Sequence, residues 1–193
     1  MKKVLVGGLL GGLALFVWGS ISHMALPLGK VGLRVMPPAQ EAAVLAAMSG
    51  AMKERALYFF PGPDMSRQMS EKEQKSWTAK YEAGPGGIVA FNPRPGDRAS
   101  GGSLFGLQLG TELLTNILAA LVAGLVIFHV PASLGYGKRV LLTGALGLLV
   151  TFDVDASYWN WYGFPTSYFL TQVVDHTVGW LVAGLVLARV CKA

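Results

Sequence analysis

The sequence predicts an all-α membrane protein: a four-transmembrane-helix bundle with a small, mainly helical extracytoplasmic insertion between helices 1 and 2. Three observations lead to this fold class. The 193 residues are 52% hydrophobic and only 14% charged, with a mean hydropathy of +0.46, whereas soluble domains are about 25% charged. Glycine supplies 25 residues, and small residues let membrane helices approach closely. Four apolar stretches reach the roughly 20 residues that a bilayer requires.

The four predicted spans are separated by one long and two short connections. They cover residues 4–26, 105–130, 140–158 and 168–190. Short connections make consecutive helices antiparallel neighbours, so the last three spans are expected to form one compact group. The predicted organisation is therefore a first helix within residues 1–26, an insertion at 27–104, and three helices within 105–193.

The first span also has features of a signal peptide. A lysine pair and an apolar core precede Ser20-Ile21-Ser22, which has the small-x-small pattern of a cleavage site. However, the pairs Gly7/Gly11 and Gly8/Gly12 have the GxxxG spacing of packed membrane helices. This spacing favours an uncleaved anchor.

Basic residues predict the orientation of the spans. Six of them lie at span ends that share one side of the membrane if the spans alternate, namely Lys2, Lys3, Lys138, Arg139, Arg189 and Lys192. The positive-inside rule assigns this side to the cytoplasm, together with both termini. The opposite ends carry an aromatic belt, as is typical of the outer interface. Its members are Trp18, Tyr158, Trp159, Trp161, Tyr162 and Tyr168.

The net charge of +5 therefore reflects membrane topology and does not indicate a nucleic-acid partner. Of the 27 charged residues, 17 lie between Lys30 and Arg98, ten of them basic and seven acidic. A near-balanced, water-facing segment of this kind lacks the basic patch that nucleic-acid binding requires.

Within the insertion, helical spacing of apolar residues predicts a helix over Ala39–Arg55. Ser70 and Glu73 match a capping box at the start of a second helix that ends near Glu82. The aromatic run Tyr58–Phe60 is expected to be extended, and Ile88–Phe91 to be an isolated strand. A glycine-rich linker over residues 94–103 leads back to the bilayer.

Four acidic residues fall inside the predicted spans, where ionisable groups are costly and are functional candidates. Polar residues at helical spacing extend them into one candidate intramembrane polar cluster: Glu112, Asp153, Asp155, Asp175, His176, His23, Gln108, Asn116 and Gln172. Because the alternative is exposure to lipid, we expect these side chains to converge in one layer, in the outer half of the bundle.

The cluster has three interpretations. Interhelical hydrogen bonds that fix packing are the commonest use of such residues. A proton or cation site, with His176 poised by Asp175, is the second. A ligand site open to the outside is the third. Asp153 and Asp155 point to different faces of a helix, so a shared ion between them is not expected.

Neither a catalytic residue nor a metal site nor a cofactor is predicted. No HExxH, GxSxG or P-loop pattern occurs, and without CxxCH covalent haem attachment is excluded. Cys191 is the single cysteine and cannot form an internal disulfide. Candidate partner-docking aromatic residues are Tyr58, Phe59, Phe60, Trp159, Trp161 and Tyr162.

Several short motifs give the chain a resemblance to an uncharacterised bacterial family of four-span inner-membrane proteins, and more distantly to the domain-of-unknown-function 1761 type. They are Trp18-Gly19, Ser22-His23, Leu26–Gly29, Tyr58–Gly62, Ala83–Pro85 and Tyr158–Pro165. The resemblance implies four spans in a bacterial inner membrane and brings no activity with it.

The leading functional hypothesis is a non-enzymatic scaffold or accessory subunit of a larger membrane complex. Its expected partners are membrane lipids and a membrane protein or further copies of the chain. The alternative is a small proton- or cation-coupled transporter that uses Glu112, Asp153, Asp175 and His176. A haem- or pigment-binding protein, using His23, His129 or His176, is a third hypothesis.

Overall fold

A computed structural model describes residues 1–96, 102–131 and 133–192. The chain forms two compact units, one made of residues 1–33 and 97–193 and the other of residues 34–96. In chain order the elements are α1 (Lys2–Ser20), a π-helical turn (Ile21–Ala25), a 3-10 turn (Leu28–Lys30), α2 (Pro38–Ala51), β1 (Ala56–Phe60), α3 (Glu71–Ala83), β2 (Gly87–Phe91), α4 (Phe105–His129), α5 (Tyr136–Val150), a second π-helical turn (Thr151–Asp155), α6 (Ala156–Tyr162) and α7 (Thr166–Val190).

The first unit contains four continuous helices that are long and apolar enough to cross a bilayer. They cover Lys2–Ala25, Phe105–His129, Tyr136–Tyr162 and Thr166–Val190. This confirms the predicted four-span helical fold and is consistent with a multi-pass membrane protein. The third helix is longer than predicted, because the aromatic residues after Asp155 continue it until Gly163 ends it with a left-handed backbone (φ 70°).

Helix α1 lies between α4 and α7, and α5 packs along α7. The glycines of α1 make these approaches close. A methyl group at Gly12 would overlap the backbone of Ile117 in α4, and one at Gly11 would lie 3.0 Å from the Leu187 side chain in α7. The prediction that the GxxxG pairs serve helix packing is confirmed, since both pairs are buried, on two different faces of α1.

A small apolar core lies between the later part of α4 and the end of α7. It contains Ala123, Ile127, Ala183, Leu187 and Cys191. At its edge the Lys3 ammonium donates a hydrogen bond of 2.9 Å to the carbonyl of Lys192. The beginning of α1 is thus tied to the end of α7.

The second unit is built on a two-stranded antiparallel sheet. Strand β1 pairs with β2 in a register that sets Ala56 opposite Phe91 and Phe60 opposite Gly87. The expectation of an isolated strand is therefore wrong, because the aromatic segment before Pro61 supplies the partner that a strand needs for its backbone groups.

Helix α3 packs on this sheet through aromatic rings. Tyr81 stacks on Phe59 with 6.0 Å between ring centroids, and the Trp77 indole donates to the carbonyl of Pro61 at 2.9 Å. The predicted capping box is confirmed, because Ser70 and Glu73 exchange side-chain to backbone hydrogen bonds at the start of α3.

Helix α2 is shorter than predicted. It ends at Ala51, and Met52 already has an extended backbone (φ −109°, ψ 123°). None of its residues is buried. The predicted linker over residues 94–103 lies partly outside the described residues.

The close approach of α1 and α4 leads to a first prediction. Replacing Gly12 with Ala should lower the free energy of unfolding in detergent by about 1–3 kcal/mol, because a well-packed contact has to open. Gly110→Ala in α4 is the matched control, since nothing lies within 4 Å of the added methyl. An equal loss of thermal stability in the two variants would contradict this packing of α1 against α4.

The capping box leads to a second prediction. The Arg67 guanidinium and Ser70 lower the pKa of the Glu73 carboxyl from its ordinary 4.5 to about 2. Stabilisation from this carboxylate is present above its ordinary pKa and is lost as the pH falls toward about 2. Ser70→Ala should raise the Glu73 pKa in a carboxyl NMR titration, whereas Ser76→Ala, later on α3, should leave it unchanged.

Candidate functional site

Two neighbouring residues of α7 hold this helix to both of its main neighbours. Asp175 is directed toward α1 and the π-helical turn that continues it, whereas His176 is directed toward the end of α5 and the turn that follows. Consecutive residues of a helix point about 100° apart. The two residues therefore form two separate contacts, one on each side of α7.

The first contact places a buried carboxylate between an indole and an imidazole. Asp175 has 7% of its surface exposed. The Trp18 indole N–H lies 2.8 Å from Asp175 Oδ1 and 3.1 Å from the Asp175 carbonyl oxygen. His23 Nδ1 lies 3.9 Å from Asp175 Oδ2, and the His23 side chain is half exposed. The carboxylate thus has a firm donor on one oxygen and an ion-pair partner on the other when His23 is protonated.

The π-helical turn after α1 positions His23. Its defining bond runs from the Leu26 N–H to the Ile21 carbonyl at 2.8 Å. Within this turn the buried Ser22 hydroxyl lies 2.8 Å from His23 Nδ1. Gly29 covers the ring, since a methyl group there would lie 2.8 Å from His23 Cδ2. The imidazole is therefore held on its Nδ1 side and covered on one face.

The second contact joins α7 to the other π-helical turn. His176 Nδ1 lies 3.1 Å from Thr151 Oγ1 and 3.2 Å from Asp155 Oδ2. Thr151 is fully buried, and Asp155 has 6% of its surface exposed. A residue without a side chain, Gly147, lets the backbones meet here, because a methyl group at this position would lie 2.5 Å from the His176 carbonyl oxygen.

The Thr151 hydroxyl lies between two groups, the Gly147 carbonyl at 3.0 Å and His176 Nδ1 at 3.1 Å. A ring nitrogen of histidine can donate or accept, and the tautomer sets which group donates in this contact. Asp155 Oδ2 has no hydrogen-bond partner of good geometry among the described residues, and it lies at ion-pair distance from His176 Nδ1.

Both contacts depend on local departures from the α-helix that the sequence does not indicate. π-Helical turns are rare and occur often at functional sites. One carries Ser22 and His23, and the other carries Thr151 and Asp155. Sequence reasoning assigned Trp18 to the aromatic belt and overlooked Thr151, because neither residue is ionisable.

The structure does not bring all nine predicted polar residues together in one cluster. Gln108, Glu112 and Asn116 form a row on α4, and among the described residues no hydrogen bond or ion pair joins this row to either histidine. Helix α4 buries the face that carries Ala120, Ala123, Gly124 and Ile127. Asn116 continues this face and is half-buried, whereas Glu112, one turn earlier, is exposed. Glu112 is exposed, and the only hydrogen-bond partner of its carboxylate among the described residues is Asn116, at 3.2 Å.

Two further members of the predicted cluster also lie outside the contacts of α7. Asp153 is exposed while Asp155 is buried, so the two carboxylates point to different sides as helix geometry requires. Gln172 is half-buried on α7, one turn before His176. Among the described residues no group of three or more His, Cys, Asp or Glu side chains is arranged to hold a metal ion.

The candidate docking aromatics divide into two sets. In the second unit Phe59 packs on α3, and Tyr58 meets the ring of Phe91 edge to face. In the first unit Trp159 stacks on Phe169 and donates to the Thr166 hydroxyl, whereas Trp161 is 72% exposed. Phe60 and Tyr162 are also exposed.

The contact between Trp18 and Asp175 leads to a third prediction. Trp18→Phe keeps an aromatic ring against Gly179 but removes the donor, so a buried carboxylate oxygen loses its hydrogen bond. We expect a loss of about 1–3 kcal/mol in the free energy of unfolding. Trp159→Phe, which removes a donor at an exposed site, is the matched control and should change stability by less than about 0.5 kcal/mol. Similar losses in the two variants would show that the indole N–H of Trp18 is not what stabilises Asp175.

In comparisons with known proteins, no protein-family model, no curated protein and no solved structure matches this chain.

Proposed function

We propose that the chain is a non-enzymatic scaffold or accessory subunit that binds another protein within the membrane. The proposal includes a bacterial inner-membrane location, with both termini in the cytoplasm and residues 27–104 outside. Lys3, Lys138 and Arg189 lie near the ends assigned to the cytoplasm, which supports this orientation through the positive-inside rule.

The observation that carries the proposal is the exposure of Glu112 on a helix of membrane-spanning length. Glu112 lies seven residues after Phe105, which places it roughly 10 Å from that end of α4. A carboxylate at this depth is costly when it faces lipid. A hydrogen bond from Asn116 leaves most of that cost in place, so a second protein surface over Glu112 is the physical remedy.

Two of the three other acids in the spans contrast with Glu112, whereas Asp153 is exposed as Glu112 is. Asp155 and Asp175 are both buried within the chain, and each faces a histidine. The bundle therefore buries two of its acidic side chains. Glu112 differs from these two because its side chain is exposed, where a neighbouring subunit would contact it.

A proton-coupled function is the second candidate, favoured by the two histidine–carboxylate contacts of α7. It would use His23, Asp175, His176 and Asp155, and not Glu112 or Asp153 as the sequence suggested. Proton uptake by vesicles that contain the purified protein, lost in His176→Gln, would support it.

The proposed function leads to a fourth prediction. Purification of the tagged protein in mild detergent should yield a second membrane protein in stoichiometric amount, and Glu112→Leu should reduce its recovery at least about tenfold. Leu149→Ala is the control, because it truncates an exposed apolar side chain on a different helix. A wild-type protein that purifies alone, or a partner retained equally by both variants, would contradict the proposal.

A further inference from the structure

We infer that the surface covering Glu112 is a membrane-spanning helix of a different protein, and that this helix places a Lys or Arg side chain against the carboxylate. The inference rests on the proposed function and specifies its partner. The surface concerned is the row of polar side chains on α4, which we call the α4 polar face: Gln108, Thr111, Glu112, Thr115 and Asn116.

The hydroxyl groups of the α4 polar face have no protons left to donate. Thr111 donates to the Leu107 carbonyl at 2.8 Å, and Thr115 donates to the Glu112 carbonyl at 2.9 Å. Each hydroxyl oxygen keeps lone pairs that can accept. Both threonines are exposed, so a neighbouring helix would meet them as acceptors.

Glu112 itself adds the strongest acceptor. Asn116 donates to Glu112 Oε1, which leaves Oε2 without a hydrogen-bond partner among the described residues. The side-chain oxygen of Gln108 also has no partner in that part of the chain, but it is buried and a neighbouring helix cannot reach it. Acceptors on the α4 polar face thus outnumber its free N–H groups. A Lys or Arg side chain brings three or five donors and no acceptor, together with the charge that neutralises the carboxylate.

A second copy of this chain does not meet that requirement. The four long helices carry their Lys and Arg residues only near one end of the bundle, at Lys2, Lys3, Lys138, Arg139 and Arg189. Glu112 lies near the other end of α4, because α1 and α4 run antiparallel, with Gly8 against Leu121 and Gly12 against Ile117. A copy inserted with the same topology would bring a second carboxylate to this level in place of a cation.

Synthetic transmembrane peptides provide a direct test that does not require the natural partner. Each peptide is an apolar helix of about 20 residues with Arg, Leu or Glu placed roughly 10 Å inside the outer interface. The full-length protein, labelled through a terminal tag, is reconstituted in lipid vesicles with each labelled peptide. Energy transfer between the two labels measures their association.

We expect the Arg peptide to associate about tenfold more tightly than the Leu peptide with the wild-type protein, the size of effect that polar contacts between membrane helices produce. Glu112→Gln, which keeps the shape of the side chain, should remove most of this preference. Asp153→Asn should retain it, because Asp153 belongs to a different helix.

Three results would overturn the inference. They are equal association of the Arg and Leu peptides with the wild-type protein, association of the Glu peptide as tight as that of the Arg peptide, and Glu112-dependent energy transfer between two copies of the chain without any peptide. A co-purifying subunit combined with no preference for Arg would refute this inference alone. An Arg preference in a protein that purifies without any subunit would refute the proposed function alone.

Discussion

Water is absent from the apolar layer of a membrane, so each polar side chain on a spanning helix needs its partner within protein. The position of α7 follows from this constraint. Its Asp175 is met by an indole donor from α1, and its His176 by a hydroxyl and a carboxylate in the π-helical turn after α5. Since α7 packs against both helices, the same contacts that satisfy its polar groups fix its neighbours.

Close backbone approach makes these short polar contacts feasible. At Gly147 the third helix comes within contact of the His176 carbonyl, and at Gly12 the first helix meets the backbone of α4. The two π-helical turns complete the arrangement, since each shifts the helix by one residue where a polar side chain must face a neighbour. Helix α4 is held mainly through its glycine-mediated contact with α1, and this leaves its polar face free.

Much of the fold could be predicted from the sequence, because span length, basic flanks and GxxxG spacing depend on composition and period alone. The capping box of α3 could be predicted for the same reason. The grouping of the polar residues could not be predicted, because the sequence indicates regular helices where Ile21–Ala25 and Thr151–Asp155 form π-helical turns. The exposure of Glu112 depends on the rotation of α4 about its own axis. Periodicity in the sequence shows that α4 has a polar stripe, but it does not show whether that stripe faces the bundle or the lipid. Pairing of Ile88–Phe91 with the aromatic segment required a long-range contact that local propensity does not encode.

The central claim is that the α4 polar face is covered by another protein in the native membrane. The most direct test is photocrosslinking in native membranes from a photoreactive side chain that replaces either Thr115 on the polar face or Leu114 on the adjacent apolar side of α4. Both residues are exposed in the isolated chain. We expect a crosslink to one other protein chain from position 115 and crosslinks to lipid alone from position 114. Crosslinks to lipid alone from both positions would contradict the claim.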